Sequence, residues 1–139
     1  MMTSTAPEDR ELAHLPVTRM QDVLLARVVA RDQAERLGFS APALTQIATA
    51  VSEITRNVVQ HAGSSGQITV HEIARGNRVG LRIAVEDAGV GIASVDHALA
   101  GTTPGAGIAG CRRLMDEFEI RSDAGRGTTV VMLRWLNPA

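Results

Sequence analysis

Little in this chain ties it to a secreted, metal-bearing or membrane-embedded class. Its single cysteine, Cys111, excludes an internal disulfide and any multi-cysteine metal site. Tyrosine is absent and aromatic residues make up 2%, so the core has to come from Val, Ile, Leu, Ala and Met. No apolar run reaches the roughly 20 residues of a membrane span. The first 14 residues, MMTSTAPEDRELAH, contain no apolar signal-peptide region. A cytoplasmic protein without membrane contact is the expectation. Fourteen Lys and Arg against fifteen Asp and Glu leave a formal charge of −1. That balance excludes the broad basic surface that drives unspecific nucleic-acid binding, and no nucleic-acid partner is expected. His14, His61, His71 and His97 have no mutual metal-ligand spacing.

What is present suffices for one domain. A chain of 139 residues buries about two thirds of its unfolded surface and needs no staples. Residues 1–12, polar and acidic with Pro7, read as a flexible tail ahead of a single domain over 13–139. His14 to Val17 suit a short edge strand, where Pro16 is tolerated. Val23, Leu24, the stem of Arg27, Val28, Ala34 and Leu37 follow helical spacing over 20–37, and Gly38 is a stop signal. Ser40 and Pro42 open a second helix. Its stripe is Leu44, Ile47, Ala48, Val51, Ile54, Val58 and Ala62, ended by Gly63. The second half changes period. Strands are predicted over 67–73, 79–86, 118–122 and 128–136, turns at Gly76-Asn77 and Gly125–Gly127, and a helix over 106–116. Helices precede strands without βαβ alternation. This order predicts an α+β two-layer sandwich, with helices on one face of a mostly antiparallel sheet.

Three segments have the composition of a chemical site. Glu53 and Asn57 stand four apart and share one helical face, away from the Ile47/Val51 stripe. They read either as a solvated polar face or as a proton-accepting carboxylate beside an amide oxygen for a hard cation such as Mg²⁺. Asp87-Ala88-Gly89-Val90-Gly91 follows a buried strand. It is either a strand-ending turn or a carboxylate accepting from the amine of adenine, with Gly89 and Gly91 admitting a flat ligand. Gly101 to Gly110 leads into a helix. It is either a connector or a row of backbone N–H groups for phosphate. No Gly-Lys-Ser/Thr of a Walker loop occurs, and the following elements do not suit a dinucleotide fingerprint. In this order the three describe a nucleotide site: cation and base, adenine acceptor, phosphate donors.

The stretches "LGFS", "QIATAVSEITRNVV" with "HAG", "VEDAGVGI" and "GIAGCRRLMDEFEIRSDAGRGTTV" resemble the GHKL ATPases. Within that family they resemble the small bacterial serine kinases that regulate partner-switching modules. The resemblance covers nearly the whole chain, about Leu15 to Leu136. It implies the Bergerat fold, with ATP and Mg²⁺ as cofactors. Glu53 is then the general base and Asn57 the Mg²⁺ ligand. Asp87 binds the adenine amine, with Gly89 and Gly91 shaping the pocket. Gly105, Ala106 and Gly107 belong to the phosphate-binding segment, and Thr128 lies beneath the adenine. The implied activity is phosphoryl transfer to a serine or threonine of a STAS-domain antagonist, in sigma-factor, stress-response or stressosome regulation. A PP2C-type phosphatase or a sigma factor is the implied second partner. One departure is that "GTTPGAGIAG" is a few residues shorter than the lid of such relatives, and Pro104 stiffens it. The short lid keeps two other readings open: a nucleotide-dependent module that sequesters a partner without catalysis, and an adaptor without nucleotide.

Overall fold

Leu81, Ile83 and Val85 alternate along one strand, and each is at most 1% exposed. Their neighbours in register are equally apolar. Ile83 lies between Val70 and Met132, and Val85 between Ile68 and Val130. The period of two therefore sets a continuous apolar face on the sheet. The computed structural model describes residues 9–62, 66–89, 107–123 and 126–136. Its strands are β1 (Arg10–Val17), β2 (Gly66–Arg75), β3 (Arg78–Asp87), β4 (Glu117–Asp123) and β5 (Gly127–Trp135). They form one antiparallel sheet in the order β1-β2-β3-β5-β4. The helices are α1 (Met20–Leu37), α2 (Ala41–Asn57) and α3 (Gly107–Leu114), with a π-helical turn at Val58–Ala62. The expected two-layer arrangement is the one observed.

The helices pack where their small and branched residues allow. Along α2, Leu44, Ile47, Val51 and Ile54 recur at helical spacing and are buried against the sheet. The Ser40 hydroxyl accepts from the Ala43 N–H at 3.4 Å, and a proline stands in the first turn. The Asp22 carboxylate opens α1 by accepting from the Thr18 and Arg19 N–H groups and the Thr18 hydroxyl. Those backbone bonds hold the Asp22 carboxyl below the usual range. Gly38, at φ +105°, ends α1 in the left-handed region, and Phe39 then bonds back to Ala34. Ile108, Cys111 and Met115 seat the α3 end of the chain in the same core.

Three expectations are corrected. Strand β1 begins at Arg10, so residues 10–12 belong to the sheet and not to a tail; Arg10 pairs with Glu72 and Glu11 with His71. Their polarity is that of an edge strand, with an irregularity between Glu11 and Ala13. On α1 the buried seam is Val23, Ala26, Ala30 and Ala34, whereas Leu24 and Val28 are 64% and 62% exposed. Alanines every four residues make a shallow seam for α2, and weighting by bulk hid it. The second helix keeps its α-helical form only to Asn57, and the five residues after it form the π-helical turn. π turns often mark functional positions. Among the described residues no helix is long and apolar enough to cross a membrane.

Candidate functional site

Asp87 ends β3 with Gly66 of β2 on one side and Thr128 of β5 on the other. Two glycines keep this row close. A Cβ on Gly66 would stand 2.5 Å from the Glu86 carbonyl oxygen and 2.9 Å from Val58 Cγ1. A Cβ on Gly127, where φ is +107°, would overlap the Asp87 carbonyl oxygen. Both positions require a residue without a side chain. Val58, the first residue after α2, thus meets β2 at Gly66, and Asn57 is the last residue of α2.

Within the row Asp87 and Thr128 each have a defined partner. Asp87 Oδ1 accepts from the Gly89 N–H at 2.9 Å. Asp87 Oδ2 has no hydrogen bond among the described residues, so an acceptor remains for a ligand amine. Gly89 is buried in this turn. Thr128 is 7% exposed, and its hydroxyl lies 2.9 Å from that of Ser122. Gly66, Gln67, Glu86, Asp87 and Ala88 line a concavity of about 360 Å³. That volume falls within the range of small-molecule pockets. A second one, about 390 Å³, lies at the opposite end of α2, among Gly38, Ser40, Asp116 and Trp135.

Glu53 sits one turn before Asn57 on α2, half-buried, in an ion pair with Arg56. It also lies close to α3. Burial, and after it the Glu53 charge, pushes the Cys111 thiol up to about 12. Cys111 Sγ meanwhile donates to the Ala50 carbonyl oxygen at 3.4 Å. A thiol held that high stays protonated at neutral pH, so Cys111 is a packing residue rather than a nucleophile. Among the described residues no three His, Cys, Asp or Glu side chains gather to hold a metal. Asn57 is half-buried, and its amide oxygen is of the kind that would hold a magnesium ion, which needs few protein ligands.

The structure thus brings Asp87, Gly89 and Thr128 to one end of the sheet, where Val58, the residue after Asn57, meets Gly66; Glu53 lies one turn before Asn57 on α2. Gly107 opens α3. Gly91, Gly105, Ala106 and Pro104 lie outside the described residues, as does the side chain of His61. Arg112 and Arg113 are exposed on α3. Two residues at the site escape sequence reasoning. Gly66 and Ser122 enter it only through strand register, which no local pattern reveals. Arg56 was legible as a cation three residues from Glu53 within the same motif.

Residues 17–135 match the model of the histidine kinase-like ATPase domain. The serine/threonine-protein kinase RsbT of Bacillus subtilis (strain 168) is 39% identical, over 83% of this chain and 90% of its own length. The anti-sigma F factor of Anoxybacillus flavithermus (strain DSM 21510 / WK1) is 32% identical, over 91% of this chain and 94% of its own. Among solved structures, the histidine kinase domain of the Erythrobacter litoralis EL346 blue-light activated histidine kinase superposes with a TM-score of 0.52 at 29% identity. That match covers 68% of this chain and 45% of the other. With the glycine-framed Asp87 row beneath the end of α2, these likenesses identify the chain as a member of the histidine kinase-like ATPase domain family and a homologue of serine/threonine-protein kinases.

Proposed function

We propose that this protein transfers the terminal phosphoryl group of ATP to a serine or threonine of a STAS-domain antagonist in a partner-switching module. The observation that carries this reading is the approach of Val58, the residue that follows Asn57 at the end of α2, to Gly66 in the Gly66–Asp87–Thr128 row. The likeness to RsbT supports the kinase chemistry. The second carboxylate oxygen of Asp87 accepts from the adenine amine, and Gly89 and Gly91 leave room for the flat base. Thr128, fixed by Ser122, stands beside that contact. Asn57 offers its amide oxygen to Mg²⁺, which neutralises charge on the phosphates. Backbone N–H groups from Gly105 to Gly107 donate to phosphate at the start of α3.

Positioning and charge neutralisation carry most of such a reaction. Glu53 takes the proton of the acceptor hydroxyl as its oxygen bonds to phosphorus, and the bond to ADP breaks. A carboxylate placed within reach of the acceptor hydroxyl suits this task. The names of the anti-sigma F relatives support a second reading, in which the same site, once loaded, shapes a surface that holds a sigma factor. A PP2C-type phosphatase is the other proposed target, reached once the antagonist is phosphorylated and released. Radiolabelled ATP, Mg²⁺ and a candidate STAS protein separate the two. Label on a STAS serine or threonine is the expected result. Nucleotide uptake without transfer to any STAS protein, together with stable capture of a sigma factor, replaces the kinase reading with sequestration.

A further inference from the structure

Glu53 does not stand free in the structure. Arg56, three residues on, donates from Nη1 to Glu53 Oε2. The pair is half-exposed, with the two side chains 40% and 35% accessible. Two physical consequences follow. A carboxylate oxygen occupied by a guanidinium has fewer lone pairs for an incoming hydroxyl. A solvated helical ion pair is also weak, so a competing group breaks it easily. Arginine carries five N–H donors, and a single one of them is engaged with Glu53.

We propose that Arg56 is a positioning residue that restrains Glu53 until an acceptor protein arrives, and that it selects acceptors carrying a carboxylate close to the reacting hydroxyl. The proposal rests on the reading of Glu53 as the base. With no acceptor present, Arg56 keeps Glu53 turned from the water in the site. An acidic side chain of the acceptor then draws the guanidinium away and Glu53 meets the hydroxyl. The step restrained is hydrolysis. In it the water oxygen bonds to the terminal phosphorus, its proton passes to Glu53, and the bridging bond breaks with its electron pair leaving on ADP.

The test is ATP consumption by the full chain with Mg²⁺, without and then with the STAS protein that supports transfer. Arg56→Ala is expected to raise partner-free hydrolysis about two- to fivefold, the range an exposed ion pair allows. It is also expected to raise KM for the acceptor protein, with ATP affinity unchanged. Arg56→Lys, which keeps a cation within reach, should return hydrolysis to the wild-type level. The double variant Glu53→Gln/Arg56→Ala should lose the increase. An Arg56→Ala protein that hydrolyses no more ATP than wild type, or one whose acceptor KM is unaltered, overturns the proposal. Glu53→Gln alone keeps the two readings apart. If it leaves transfer intact, Glu53 is not the base. If it abolishes transfer while Arg56→Ala changes nothing, Glu53 remains the base and the restraint is refuted.

Discussion

Replacing Glu53 with alanine is expected to reduce phosphoryl transfer by roughly 10²- to 10⁴-fold, the usual worth of a positioned general base. ATP affinity should stay at the wild-type level. The two outcomes separate because Glu53 lies one turn from Asn57 and on a different element from the Asp87 row. Folding should also survive. Glu53 is half-buried, its ion pair with Arg56 is solvated, and such pairs add little to stability. Alanine moreover favours the helix. Transfer is read from label on the partner protein and affinity from calorimetry on the same sample. A variant that phosphorylates at the wild-type rate removes Glu53 from the mechanism, whatever its effect on binding.

The second large effect belongs to Asp87→Asn. The substitution preserves shape, so the row between Gly66 and Thr128 stays packed. Its consequence is fixed by the Gly89 N–H, which needs an acceptor at 2.9 Å. The amide oxygen of an asparagine takes that place, and the NH2 group must then occupy the position of Asp87 Oδ2. A donor now faces the donor amine of adenine. Loss of a hydrogen bond to a charged group costs about 1.5–3 kcal/mol, so the Kd for ATP should rise roughly ten- to hundredfold. Preference over GTP should fall as well, because guanine carries an acceptor oxygen where adenine carries its amine. Unchanged affinity for both nucleotides would move the base-binding role away from Asp87.

The sequence was most informative where a local pattern and the packing demand coincide. The strict alternation Val79, Leu81, Ile83, Val85 foretold a half-buried strand, and β3 proves central, with its core face closed. The Ser40 cap and Gly38 stop foretold a helix–helix junction to within a residue. The glutamate and asparagine four apart were expected to share one helix, and α2 carries both in its last turns. Misreadings arose where pairing or close approach overrides local preference. Arg10 and Glu11 look like tail, yet they are sheet because β2 offers them an open edge. Leu24 and Val28 look like core, yet Ala26 and Ala30 are buried because α1 and α2 meet on small residues. Gly127 was expected in a turn, but nothing in the sequence marks the close approaches at Gly66 and Gly127. Their importance comes from neighbours about 20 and 40 positions away, Asp87 above all, which strand register alone brings near.

All of these expectations depend on one nucleotide lying between the Asp87 row and the end of α2. Titration of the isotopically labelled full chain with ATP and Mg²⁺, followed by amide chemical shifts, tests that placement most directly. The account predicts saturable one-to-one shifts at Gly66, Asp87, Gly89, Thr128 and along Glu53–Val58. Shifts confined to Gly38, Ser40 and Trp135, or no saturable shift at millimolar ATP, would contradict it.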